Sequence, residues 1–346
     1  MIINLAENPK SITTSGYDVC IAGAGAAGIT LAIYLGRAGK KVALLEGGDQ
    51  EYTDQSMDIY KGNNTGIEYW GLERCRLRYL GGTTNHWAGR CKPLDDVDFM
   101  QRDFFGLPGW PINRSDLETF EKEAKVVLDI DKDFDAPDIP NWSSERFIPD
   151  RIARSAPTRF GTKFYDELEK SSHITLFINA NLTDIRLDKD LSTVTEFVIK
   201  NYGNQDFRFS GKNFIIALGA IENARLLLNC DSQIKSGIGN HSDFVGRCFM
   251  EHFNVDLGMF AGNKKYLEAA GTTSFCTSSA FSLEHKIGNA NVSMSVSTAP
   301  GVSGGRSKAV KKFVRDSICQ WQTLSELSKK IRLLSLPWRW CYRYAY

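Results

Sequence analysis

Residues 19–22, V-C-I-A, run apolar without a break and stop at Gly23, the pattern of a short strand buried on both faces. The period then changes. Ile29, Ala32, Ile33 and Leu35 fall on one helical face, and Gly39 with Lys40 and Lys41 closes the segment as a helix C-terminus closes. Residues 42–45 form a second buried strand that ends on Glu46. Leu117, Phe120, Ala124 and Val127 return to helical spacing behind Ser115 and Glu118, a capping-box pair, which predicts a helix with one face on the core. Residues 129–150 are rich in Asp and Pro without periodicity, a lid or connecting segment. Residues 174–178 are a third buried strand. Alternation at 182–187, 194–199 and 207–209 then predicts an antiparallel meander. Residues 213–217 are apolar again and run through Leu218-Gly219 directly into a helix, I-E-N-A-R-L-L-L. Further on, 253–260 and 290–296 alternate as strands and 301–305 is a glycine loop. Residues 310–334 carry an apolar helical face that Pro337 ends.

The junction between the first strand and helix reads G-A-G-A-A-G, with Gly23, Gly25 and Gly28, and Glu46 follows 18 residues later. Strand, glycine turn, helix, strand and acid together are the dinucleotide fingerprint in its required context. Gly23 permits the tight turn, Gly25 lets backbone approach a pyrophosphate, and Gly28 lets helix and strand pack closely. The helix N-terminus receives the negative charge, and Glu46 accepts hydrogen bonds from ribose hydroxyls. A second stretch, R-C-R-L-R-Y-L-G-G-T-T-N-H-W at 74–87, sets Gly81-Gly82 beside hydroxyls, an amide, an imidazole and an indole. Such a loop suits a polar aromatic cofactor. The fingerprint alone leaves FAD and NAD open. A parallel sheet interrupted by an antiparallel meander before its last strand favours FAD.

With 346 residues, length suggests about two domains, and 42% hydrophobic with 11% aromatic content supplies a sizeable core. The net charge of +1 conceals an asymmetry, because 307–346 carries nine Lys or Arg against Asp316 and Glu326. The acidic remainder argues against nucleic acid as a partner. The eight cysteines form no C-x-x-C pair, and the N-terminal residues show no leader pattern. No apolar run is long enough to span a bilayer. Free thiols and a cytoplasmic location are the expectation.

Four stretches resemble the glucose-methanol-choline flavoprotein oxidoreductases: G-A-G-A-A-G with Glu46, G-G-T-T-N-H-W-A-G-R-C at 81–91, I-A-L-G-A-I-E-N-A-R-L-L-L at 216–228 and V-G-R-C-F-M-E-H at 245–252. The His-Trp pair looks closest to pyranose oxidases and bacterial sugar dehydrogenases. The resemblance implies an α/β fold: a Rossmann-like FAD-binding domain, a parallel sheet with an antiparallel meander, plus an incomplete α+β substrate domain. It puts 1–95 and 151–252 in the FAD domain, 96–150 in a connecting segment and 253–346 in the substrate domain. It implies that Gly23, Gly25 and Gly28 hold the FAD pyrophosphate, Glu46 the ribose, and Leu182 the adenine. Gly81, Gly82, Thr83 and Asn85 would lie along the pyrophosphate and flavin edge, with Gly219 at the second strand-to-helix junction. His86 stands where pyranose oxidases bond the flavin covalently, a bond this sequence leaves open.

The implied reaction is oxidation of a small alcohol or sugar, a histidine taking the hydroxyl proton while hydride passes to flavin, with the electron acceptor unspecified. Here the chain departs from the family. No histidine follows His285, no catalytic base can be named, and no metal site emerges. The expectation is a truncated chain, in which the apolar face of 310–334 packs on the missing part rather than on an anionic membrane or a redox partner. The alternatives are an FAD-binding, catalytically silent chain that needs a partner subunit, and another flavoenzyme class.

Overall fold

The computed structural model describes residues 1–7, 12–67, 69–106, 108–139, 143–251, 254–255 and 273–294. The chain divides into two compact units, the first comprising Met1–Met259 and Cys276–Ala290. Residues 96–150 fall within that first unit. Its centre is a seven-stranded sheet. In chain order the strands are β1 (Ile2–Asn4), β2 (Tyr17–Ala22), β3 (Val42–Leu45), β4 (Ile174–Ile178), β5 (Asn181–Leu187), β6 (Val194–Lys200) and β7 (Asp206–Ile216). Across the sheet they run β1-β4-β3-β2-β7-β6-β5. The first four are mutually parallel, with Leu44 opposite both Ile21 and Leu176. Helix α1 (Ala26–Arg37) follows β2, and α2 (Ala220–Asn229) follows β7.

The apolar runs are explained by burial on both sheet faces, as parallel sheets require. On one face Ile21, Leu44 and Leu176 pack with Ile29, Ala32 and Ile33 of α1, all fully buried. On the other, Cys20, Ala43 and Leu45 pack with Phe177, Phe197 and Phe209. Burial pushes the Cys20 thiol up to about 12, so it behaves as a small apolar side chain.

The meander appears as expected, with β5, β6 and the first half of β7 antiparallel. One expectation is corrected: 207–209 and 213–217 are not two strands, because 207–209 and 213–216 belong to the one 11-residue β7, and Ala217 follows it. Residues 206–210 pair antiparallel with β6, and from Gly211 onward the strand pairs parallel with β2. A Cβ at Gly211 would stand 3.0 Å from Cys20 Sγ, so the change of partner occurs where the backbones need room.

The helix expected from 117 to 127 is two short ones, Arg114–Glu118 and Glu121–Val127. Its capping box is Asn113 with Asp116 rather than Ser115 with Glu118. Leu117 and Phe120 are exposed, because spacing alone does not supply a core for a face to pack on. The short edge strand β1 goes unseen in the pattern. Within 290–296 a strand forms at Asn291–Met294. The expectations for 253–260, 301–305 and 310–334, and for His252, concern positions that, apart from Asn254 and Val255, lie outside the described residues. No helix among the described residues is long and apolar enough to cross a membrane.

Candidate functional site

The carboxyl ends of β2, β3 and β7 open onto a cleft of about 700 Å³, in the range of small-molecule and cofactor sites. Beneath it lies the first glycine loop. Gly23 adopts φ +101°, and a Cβ there would lie 2.5 Å from Ala217 O. A Cβ at Gly28 would stand 1.8 Å from Gly23 O, so α1 reaches the loop only because Gly28 has no side chain. Gly25 is different. Nothing lies within 4 Å of its Cβ position, which faces open space. It N-caps α1 without a side-chain cap, and it lines the cleft with Ala26 and Ala27, so first-turn N–H groups are left for a ligand.

Glu46 lines the cleft at the end of β3 and is only 5% exposed. Its Oε2 accepts from Ala24 N–H at 2.9 Å and its Oε1 from Gly48 N–H at 2.8 Å. The carboxylate therefore ties together the loops after β2 and β3, and each oxygen keeps a further lone pair for a ligand. At the second junction Gly219, at φ +85°, N-caps α2 and also lines the cleft.

The second glycine loop closes the remaining side. Gly81 N–H donates to Ala24 O at 2.8 Å, and a Cβ at Gly82 would lie 3.1 Å from Gly25 Cα, so the two glycine loops touch backbone to backbone. Thr83 lines the cleft and accepts from Leu77 N–H at 3.2 Å. Asn85 donates from Nδ2 to Leu80 O at 2.8 Å and pins the turn.

Of the residues expected from sequence, Gly23, Gly25, Glu46, Gly82, Thr83, Leu182 and Gly219 share this one lining. Gly28, Gly81, Asn85 and His86 lie outside it: the first three shape the loops, and His86 is exposed. The other described histidines, His173, His241 and His285, are exposed as well. No group of three His, Cys, Asp or Glu among the described residues is placed to hold a metal.

The motifs overlooked a set of charged groups in the lining. Arg76 Nη1 bonds Glu222 Oε1 at 2.8 Å, and Arg225 Nη2 bonds Glu222 Oε2 at 2.7 Å, with Glu222 itself buried. The Arg76 guanidinium lies 3.9 Å from the ring centroid of Tyr60. Arg78 donates to Asn181 Oδ1 at 2.7 Å and to Tyr202 Oη at 3.0 Å, and Tyr202 donates to Gly47 O at 3.0 Å. A Cβ at Gly47 would lie 2.0 Å from Arg78 Nη2, which explains the glycine after Glu46. The signal was present in the alternating Arg74, Arg76 and Arg78 just before Gly81-Gly82. The segment turns at 72–76, and Cys75, Arg76, Leu77 and Arg78 all line the cleft while Arg74 stays exposed, so the turn rather than a strand period places the two arginines.

Fold and cleft together define an α/β protein with a parallel sheet, an inserted antiparallel meander and a two-loop glycine cleft at the strand ends. No protein-family model and no curated protein matches the chain. Among solved structures, it is similar to pyridoxine 4-oxidase from Mesorbium loti, at 16% identity over 62% of this chain and 51% of that one, with a TM-score of 0.37. It is similar to formate oxidase from Aspergillus oryzae RIB40, at 16% over 63% and 48%, TM-score 0.41. An FAD-dependent oxidoreductase from Chaetomium thermophilum matches at 14% over 61% and 47%, TM-score 0.42. The chain spans about half the length of these structures. At such scores the likeness says nothing of what the chain does.

Proposed function

We propose that this chain binds FAD in the cleft and serves a flavin-dependent oxidoreductase that acts on CH–OH groups of small alcohols or sugars. The observation that carries the reading is the backbone contact between the two glycine loops, Gly82 against Gly25, over the uncapped start of α1 and beside the anchored Glu46. A single-loop dinucleotide site has no need of the second loop, and the meander fits the same reading. In this role Gly25 and the α1 amides hold the diphosphate, Glu46 and Leu182 the adenosine, and Thr83 the part nearest the second loop. When bound, FAD supplies the hydride acceptor for alcohol oxidation. The six cysteines among the described residues are all free, which supports a reducing, cytoplasmic setting.

No histidine of the described residues lines the cleft, so none is assigned the substrate proton. A second reading is that the chain binds FAD and a partner subunit supplies the base. The test is the visible spectrum of the purified 346-residue chain after incubation with FAD and gel filtration. Co-elution of yellow flavin with folded protein is the expected result. A folded chain that takes up no flavin refutes the reading. Bleaching by an alcohol under anaerobic conditions then separates the active enzyme from the silent chain.

A further inference from the structure

Behind the second glycine loop, residues 86–89 belong to neither helix nor strand, so the carbonyls there depend on donors from elsewhere in the chain. Arg159 is one such donor. Its Nη1 donates to Thr84 O at 2.7 Å and to Trp87 O at 3.1 Å, one nitrogen bridging the two carbonyls that bracket Asn85 and His86. Trp87 Nε1 donates to Thr158 O at 2.9 Å, and Phe160 N–H to Thr84 Oγ1 at 3.3 Å. A Cβ at Gly161 would lie 2.6 Å from Leu80 O, and Ser155 N–H donates to Gly89 O at 2.8 Å. Residues 155–161 therefore back the loop from Leu80 to Gly89.

That backing is itself fixed. Phe160 is fully buried and packs in the core with Ile29 and Ile33 of α1, while the buried Thr158 donates from its N–H to Ser155 Oγ at 3.0 Å. Arg159 stands between this base and the loop, outside the cleft lining. The adenosine side of the cleft has anchors of its own, Glu46 on Ala24 and Gly48 N–H and Arg78 on Asn181, and none of them draws on 155–161. Two separate clamps thus hold the two ends.

We propose that Arg159 is a positioning residue for the flavin half of the cofactor: by bridging Thr84 O and Trp87 O it holds Gly82 and Thr83 in place at the cleft before the ligand arrives. The inference rests on the FAD reading and deepens it by assigning each half of the dinucleotide its own support. A guanidinium suits the task, because its rigid planar fork keeps the two carbonyls at a set separation. A purely structural role would weaken the whole site alike. Positioning of the second loop separates the two halves, since the adenosine side keeps its anchors.

The test titrates FAD and ADP by calorimetry into the full chain, freed of bound nucleotide by gel filtration in high salt, and into Arg159→Gln and Trp87→Phe. Arg159→Gln should weaken FAD about 10- to 100-fold, the usual loss when hydrogen bonds from a charged donor go, with ADP changed less than about 2-fold. Trp87→Phe keeps a ring and removes the bond to Thr158 O, so FAD should weaken about 2- to 10-fold and ADP again hardly at all. Should Arg159→Gln fail to fold, the FAD-to-ADP ratio of Trp87→Phe decides. Equal losses of FAD and ADP in a folded variant, or no loss of FAD, overturn this inference and leave the flavin reading standing. A folded wild-type chain that binds no FAD overturns the flavin reading and this inference with it.

Discussion

Alanine at Gly28 and alanine at Gly25 should have opposite consequences. The Gly28 Cβ would stand 1.8 Å from Gly23 O and 3.0 Å from Gly23 C, where real contacts need at least 3.0 Å to oxygen. Helix α1 must therefore retreat by about 1.2 Å from a loop made of backbone, while Ile29, Ala32 and Ile33 are fully buried against the sheet. Overpacking of this kind costs about 1–3 kcal/mol, and rigid backbone on both sides puts this case near 3 kcal/mol. For a domain of this size that lowers Tm by roughly 6–12 °C. Gly25 has φ −87° and nothing within 4 Å of its Cβ, so alanine there costs only the N-cap preference, about 0.5–1 kcal/mol. Its methyl group would stand in the cleft lining, beside the α1 amides proposed to hold the diphosphate. The loss of about 2 kcal/mol there would weaken FAD roughly 30-fold. Thermal unfolding by circular dichroism and FAD titration on both variants provide the check. The contrast fails if Gly25→Ala melts as early as Gly28→Ala, or if it binds FAD as the wild type does.

Glu46→Gln should destabilise the chain by about 1–3 kcal/mol even without ligand, because one amide oxygen cannot serve both Ala24 N–H and Gly48 N–H; urea unfolding measures it. Tyr60 supplies a pH dependence. Its folded-state pKa, about 12, stands above the ordinary 10.0, so its stabilisation is complete below pH 10 and is lost as pH rises toward 12. That contribution is roughly 2–3 kcal/mol, and the difference in unfolding free energy between wild type and Tyr60→Phe should shift by this amount across the window. His86 is exposed and outside the cleft lining, so His86→Ala should leave flavin retention unchanged and acid precipitation should release the colour from the wild type. Colour that stays in the wild-type pellet and is lost in His86→Ala would contradict this.

The fingerprint from Tyr17 to Glu46 is legible because every part of it is local. An apolar run of strand length, glycines at 23, 25 and 28 and a helical period after them leave few other conformations, and β2, α1 and β3 follow. Alternation likewise revealed the meander, since period-2 burial belongs to the strand itself. The candidate site was partly legible for the same reason: loops that need glycine announce themselves, and seven of the expected positions share the cleft.

Other features depend on neighbours far along the chain. The partner change at Gly211 is set by β2 on one side and β6 on the other, so pattern alone divided β7 in two. The spacing of Leu117 and Phe120 describes a face, but whether that face is covered depends on what packs there, and both are exposed. Arg76 meets Glu222 across 146 residues, and Arg78 meets Asn181 across 103. The amino-acid order thus determined the elements, the glycine turns and the class of ligand they suit, because those follow from short-range sterics and burial period. The tertiary structure decided which loops touch, which carboxylates are anchored and which cations line the cleft, because those depend on distances between segments that local pattern does not encode.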